Sequence, residues 1–231
     1  MVRESYVLFD RIAARYDLLN RLLSFGMDIR WRRQVSSMIR EVPHERVLDI
    51  ACGTGDLILA ALSRLDDIEC GVGVDMAGKM LEIGKRKIAN RKHDGKASLV
   101  KGDGLQLPVT DEAFDVAMIA FGIRNMADPG RALTEMYRIL KPGGRLAVLE
   151  FSIPRNPLFR SVYLIYFRHI LPLIGRAVSG DPYAYRYLNR TVESFFPRDV
   201  FRRIVEDAGF TNLRVKPLSF GIATIYCGDK P

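Results

Sequence analysis

From residue 46 onward, short continuous apolar runs alternate with amphipathic stretches. Residues 46–50 (RVLDI), 71–75 (GVGVD), 97–101, 114–120 (FDVAMIA) and 145–151 (RLAVLEF) read as strands. Residues 55–65, 79–90 and 129–140 read as helices, with Met80, Ile83 and Ile88 facing inward on the second. Lys141-Pro142-Gly143-Gly144 is a turn signal that stops the third. The strands are apolar without alternation, which implies a parallel sheet covered by helices on both faces. A helix near residues 197–208 and strands near 212–216 and 222–227 complete an α/β fold with seven strands. The last strand, opened by Gly221, is free to pair antiparallel with its neighbours.

Two stretches fall outside this alternation. Residues 1–42 read as an amphipathic helical cap, in which Asp28 is placed to cap the helix carrying Trp31. Residues 152–195, rich in Tyr, Arg and Pro, form an insertion after the fifth strand, too long for a plain connection and expected to be a lid or a binding surface. The chain of 231 residues therefore reads as one domain: cap 1–42, core 43–151, lid 152–195 and C-terminal segment 196–231.

Charge changes the picture more than composition does. The net charge of +8 is unevenly spread: residues 1–46 carry +3, residues 47–150 carry −1, residues 151–203 carry +6 and the rest balance. The basic segment uses only arginine, interleaved with Tyr, Phe and Leu, which suits an anionic lipid or phosphate surface. Three scattered cysteines (52, 70 and 227) and three separated histidines (44, 93 and 169) give neither a disulfide framework nor metal-ligand spacing, and suggest a reducing compartment. The charged N-terminal residues do not resemble a signal peptide. The longest apolar stretch, residues 162–175, is broken by Arg168, His169 and Pro172 and is too short to span a bilayer.

The sharpest local motif is VLDIACGTGD, residues 47–56. A strand carrying Asp49 leads into Gly53 and Gly55, where a ligand can approach the backbone closely. Asp75 ends the next strand and is placed to accept two ribose hydroxyls. The third glycine of a dinucleotide fingerprint is missing, and Asp56 at the helix start repels pyrophosphate. A cationic ligand with a ribose but no phosphate fits better, and S-adenosylmethionine is one. Asp103, in the Gly102-Asp103-Gly104 turn, is placed to accept from an adenine amino group.

Together these motifs resemble the class I S-adenosylmethionine-dependent methyltransferases, which have a Rossmann-like, mostly parallel sheet. Four longer blocks narrow the resemblance: LFDRIAARYDLLNRLLSFGMDIRWRR (8–33), AFGIRNMAD (120–128), EMYRILKPGGRLAVLEFSIP (135–154) and LPLIGRAVSGDPYAYRYL (171–188). They are similar to the quinone-biosynthesis C-methyltransferases, which include the demethylmenaquinone and 2-methoxy-6-polyprenyl-1,4-benzoquinol enzymes. The resemblance implies C-methylation of a polyprenyl quinol in menaquinone or ubiquinone biosynthesis. Its cofactor site would comprise Asp49, Gly53, Thr54, Gly55, Asp75, Met76, Asp103, Gly104 and Ala120. Two departures stand out: Met76-Ala77-Gly78 replaces a polar residue after the acid, and Gly104 stands where alanine is usual.

Methyl transfer to a ring carbon needs a nucleophile held in line and no metal. A quinol carbon becomes nucleophilic as a neighbouring phenol loses its proton. Arg124, after the fourth strand, is expected to stabilise the phenolate, and Asn125 to hydrogen-bond the second oxygen. Candidate bases are Tyr16, Tyr185, His169 and Asp181. The prenyl tail implies substrate collection at an anionic membrane by a cytoplasmic, peripheral protein. Phe159, Tyr163, Leu164, Ile165 and Phe167, with Arg155, Arg160, Arg168 and Arg176, are the expected contacts. Nucleic acid is not favoured, because no RNA-binding module or Asn-Pro-Pro-Tyr-like motif is present, although a basic lid would suit an RNA substrate. A non-catalytic cofactor-binding module leaves AFGIRN unexplained. Homodimer formation is left open.

Overall fold

The computed structural model describes residues 2–93, 95–173 and 182–231. One seven-stranded sheet, ordered β3-β2-β1-β4-β5-β7-β6, forms the centre. Its strands are β1 (Arg46–Ile50), β2 (Cys70–Asp75), β3 (Ala97–Lys101), β4 (Phe114–Ala120), β5 (Leu140–Phe151), β6 (Thr211–Leu218) and β7 (Ala223–Asp229). Strands β1 to β5 pair in parallel. Strand β7 lies antiparallel between β5 and β6, as Gly221, at φ 92°, allows the chain to turn into it.

Helices α3 (Asp56–Leu62), α4 (Gly78–Asn90), α5 (Pro129–Ile139) and α8 (Arg198–Asp207) flank the sheet, joined on one face by α2 (Met27–Ile39). Two apolar layers result. One holds Trp31, Val35 and Ile39 of α2 with Ile58 and Leu59 of α3. The other holds Leu133 and Met136 of α5 with Phe201 and Val205 of α8. The strand order reverses between β1 and β4, so the carboxyl ends of both open onto one crevice.

Three local expectations are corrected. Lys141-Pro142-Gly143-Gly144 does not precede β5 but lies within it: Phe114 pairs with Leu140 and Val116 with Arg145, so the turn residues bulge out of a continuous strand. Asp28 is not the cap of α2. That helix begins one residue earlier behind Gly26, and the Ser24 hydroxyl accepts from the Asp28 N–H at 3.2 Å while donating to the Asp28 carboxylate at 2.9 Å. The described residues of the lid are largely helical, with α6 (Pro157–Ile165), a π-helical turn over Tyr166–Ile170 and α7 (Pro182–Glu193). Tyr163 and Phe167, expected as membrane contacts, instead face inward and pack with Leu8 and Leu19 of α1 (Val2–Leu23). Cap and lid therefore share a small core of their own above the sheet.

Candidate active site

Two cavities meet at the carboxyl ends of the strands. The smaller, ≈ 100 Å³, is lined by Gly53, Asp75, Met76, Asp103, Gly104 and Ala120 from the core, with Phe9 and Tyr16 of α1 above. Asp75 is fixed by two backbone donors, Gly53 N–H and Ala77 N–H, both at 2.8 Å. Burial pushes its carboxyl pKa up, opposed by those hydrogen bonds. Asp103 receives the Leu105 N–H at 2.9 Å in its turn. No lysine or arginine lines this cavity among the described residues. Two carboxylates without a cation suit a cationic, phosphate-free ligand and disfavour a dinucleotide. The residues present therefore fit S-adenosylmethionine.

Asp49, Thr54 and Gly55, also expected at the cofactor, do not line this cavity. Asp49 is buried beneath the glycine loop, where one carboxylate oxygen accepts from the Ile58 N–H at 3.2 Å and the other has no partner. Its pKa is raised to about 8, chiefly by burial. Gly55 caps α3 in the left-handed region, φ 74°. The Thr54 hydroxyl donates to Asp17 of α1 at 2.7 Å. Lys87 Nζ joins Asp17 and Asp56 at 2.6 Å each and Thr54 at 2.8 Å. This network ties the cap helix to the glycine loop. It depends on the close approach of α4, because a Cβ at Gly84 would lie 3.1 Å from the Thr54 backbone. No sequence motif signalled Lys87, since its partners lie 31 and 70 residues away.

The larger cavity, ≈ 270 Å³, is almost wholly apolar. Its walls come from α1 (Leu8, Ile12, Leu19), α2 (Trp31), the core (Phe121, Phe151) and the lid (Tyr163, Phe167, Leu171). Its few polar groups are Tyr16, Asn20, Ser24, Asp28, Arg124 and the hydroxyls of Tyr163, Tyr166 and Tyr187. Phe9, Tyr16 and Phe121 line both cavities and mark where they adjoin.

Arg124 stands beside that junction. Its Nη1 donates to Glu150 at 2.7 Å and to the Phe121 carbonyl at 2.5 Å, and the guanidinium lies 5.2 Å over the Phe151 ring. Glu150, fully buried on β5, also accepts the N–H groups of Arg124 and Phe151. The Nε of Arg124 is buried without a partner. The ion pair orients the guanidinium and leaves one charged donor unspent in a site of low dielectric. Asn125 reaches the smaller cavity and is positioned by Tyr187, whose hydroxyl donates to it at 3.0 Å. Sequence reading missed both Glu150 and Tyr187. The partner of Arg124 is 26 residues away and that of Asn125 is 62, beyond any local pattern.

The candidate bases separate clearly. Burial raises the pKa of Tyr16, which suits it to donating a hydrogen bond rather than taking a proton near neutral pH. His169 is exposed and does not line either cavity. Asp181, Arg176 and the side chain of Tyr185 lie outside the described residues. The carboxylate lining the larger cavity is Asp28, which accepts from Arg32 at 2.6 Å. Of the lid arginines, Arg155 pairs with Asp199 and Arg168 with Glu193. These two are thus less available to an external anion than their exposure suggests.

Similarity to other proteins agrees with this geometry. The solved structure of an S-adenosylmethionine-dependent methyltransferase from Thermotoga maritima superposes with a TM-score of 0.68 at 23% identity, covering 98% of this chain and 99% of that one. The [4+2]-cyclase SpnF superposes at 0.73 with 18% identity, covering 100% and 97%. Those likenesses establish the class I methyltransferase fold. At the sequence level, the Thermus thermophilus demethylmenaquinone methyltransferase is 47% identical over 97% of this chain and its own full length. The ubiquinone/menaquinone biosynthesis C-methyltransferase UbiE of Geotalea daltonii is 44% identical over 96% of this chain and 94% of its own. The model of the ubiE/COQ5 methyltransferase family matches residues 2–230, and the chain belongs to that family.

Proposed function

We propose that this methyltransferase places a methyl group on a ring carbon of a polyprenyl quinol in menaquinone or ubiquinone biosynthesis. The observation that carries this reading is the adjoining of an apolar cavity to an acidic, cation-accepting one, with Arg124 beside the junction. The two named relatives act on this substrate class by their names. A charged nucleic acid is a poor fit to so apolar a cavity.

Gly53, Asp75 and Asp103, which line the smaller cavity, would hold S-adenosylmethionine, and the bound group would supply a sulfonium-bound methyl. Asp28 takes the phenolic proton, directly or through water. The Arg124 guanidinium, which lines the larger cavity, stabilises the phenolate oxygen, and Asn125, held by Tyr187, donates to the second oxygen. Tyr16 and Phe9 shield the junction from water. As the ring carbon bonds to the methyl carbon, the methyl–sulfur bond would break and release S-adenosylhomocysteine; the ring carbon then gives its hydrogen as a proton to water, restoring the aromatic phenolate, which takes its own proton back from Asp28. The prenyl tail follows the apolar wall outward to a lipid surface, where a cytoplasmic protein attaches peripherally. Among the described residues, no helix is long and apolar enough to cross a membrane.

The deciding experiment incubates the protein with labelled S-adenosylmethionine and, separately, reduced demethylmenaquinol and 2-methoxy-6-polyprenyl-1,4-benzoquinol. Mass spectrometry should show a ring-methylated lipid from at least one. Absence of product from both, with protein that binds S-adenosylhomocysteine, would refute the reading. Asp28→Asn should lower kcat by about 10²-fold, the scale of losing a general base, with the deficit shrinking as pH rises and substrate ionises unaided. An equal deficit at every pH would argue against proton removal by Asp28. Asp75→Ala should weaken S-adenosylhomocysteine binding by roughly 2–4 kcal/mol, through loss of two charge-assisted hydrogen bonds. Calorimetry on the folded variant checks this, and unchanged affinity would overturn the ribose assignment.

A further inference from the structure

Three separate segments present bare apolar side chains beside the mouth of the larger cavity. Phe25, in the α1–α2 turn, is 77% exposed, and Phe220, between β6 and β7, is 85% exposed. On α6, Leu158, Val162 and Ile165 form an outward stripe, although the opposite face already buries Tyr163. Phe25 packs on Tyr166 at 5.9 Å and Phe220 on Phe159 at 5.1 Å, so the two turns meet α6 and the π-helical turn that follows it. Phe25, Phe159, Val162 and Tyr166 also line the cavity. The exposed rim is therefore continuous with the cavity's inner wall.

The backbone adds a second observation. Phe25 and Phe220 both hold positive φ, 51° and 58°. That region suits glycine or asparagine and strains a bulky residue. Apart from its contact with Tyr166 or Phe159, each ring is bare to water. Transfer of such a ring into an apolar medium is favourable.

We infer that the rim formed by Phe25, Phe220 and the outer face of α6 inserts into a lipid bilayer surface, setting the cavity mouth against the acyl chains. A bilayer fits better than a protein partner because the rim adjoins, through Phe25 and Val162, the cavity into which a prenyl tail would pass. Its α6 part lies within the most basic segment of the chain, where Arg160 is exposed beside Phe159. Arginine attraction is screened by salt and apolar insertion is not, so the apolar groups are expected to keep the protein attached at high salt. The placement rests on the reading of the larger cavity as a quinol site.

The test is co-sedimentation with quinol-free vesicles of phosphatidylcholine, with and without phosphatidylglycerol, at low and high salt. Wild type should bind both compositions and stay largely bound at high salt. The variant Phe25→Asn/Leu158→Gln/Phe220→Asn should partition about ten-fold more weakly or worse, since three apolar insertions are lost. Asparagine suits positive φ, so its thermal midpoint should not fall and its S-adenosylhomocysteine affinity should hold. Binding by the variant equal to wild type would overturn the inference. Binding by wild type only to anionic vesicles, released by salt, would return the role to arginine. A dimer that the variant dissolves, without vesicle binding, would make the rim an interface between copies. Quinol methylation in detergent without vesicle binding would remove the docking surface alone. Vesicle binding without methylation of either quinol would remove the catalytic reading alone.

Discussion

Arg124→Ala is expected to lower kcat by about 10²-fold or more, the usual scale for one preorganised charged donor, while S-adenosylhomocysteine affinity stays nearly constant. The same substitution strips Glu150 of its guanidinium partner in a fully buried position. An orphaned buried charge costs about 3–5 kcal/mol, so the single variant should also melt early. The double variant Arg124→Gln/Glu150→Gln separates the two effects. It should recover most of the stability, because two neutral amides can bond one another, and none of the turnover. If turnover returns with stability, Arg124 acts on the fold and not on the phenolate. If cofactor affinity falls as far as kcat in the double variant, the guanidinium belongs to the cofactor site instead.

Asp49→Asn should produce the largest change in stability, and in the direction opposite to most buried substitutions. The Asp49 carboxyl has its pKa raised to about 8 in the folded chain, against about 4 when unfolded. Between those values the folded state holds a proton that the unfolded state has released. Stability must therefore fall as pH rises through that window, by at most about 1.4 kcal/mol per pH unit. Below the window the cost vanishes, and above about pH 8 it is fully present. Asparagine keeps an acceptor for the Ile58 N–H and carries no charge. The ligand-free variant should exceed wild type by several kcal/mol near pH 8 and match it near pH 4. Denaturant titrations across that range decide the matter, and parallel pH profiles for the two proteins would contradict the assignment. A cation in the neighbouring cavity would favour the ionised form, so cofactor binding should flatten the wild-type profile.

The frame of the fold was legible because its signals are local. Strand β4 follows from an uninterrupted apolar run, and the Gly53–Gly55 loop follows from backbone demands that few residues meet. Lys141-Pro142-Gly143-Gly144 misled for a related reason: proline and glycine report a break in backbone regularity but not whether a strand resumes around it. At the site, Asp75, Asp103 and Arg124 were readable as motif positions. Glu150, Tyr187 and Lys87 were not, because each acts through a partner brought close only by folding. The lid arginines show the same limit from the other side. Their charge is written in the sequence, but Asp199 and Glu193, which neutralise two of them, come from α8 and α7.

Helix α1 closes the smaller cavity and walls the larger one, through Phe9 and Tyr16 in both, and Lys87 holds it down. At ≈ 100 Å³ the smaller cavity is below the ~300 Å³ typical of small-molecule sites, so admission of a nucleoside is expected to require α1 to shift. The same shift opens the quinol wall. Departure of the spent nucleoside and of the methylated lipid is then expected to wait on the same helix, so that its release sets the pace of turnover. Salt loosens a partly exposed clasp of Lys87 and Asp17. Steady-state rate should then climb with ionic strength before it declines, while a single turnover from preloaded protein stays indifferent to it.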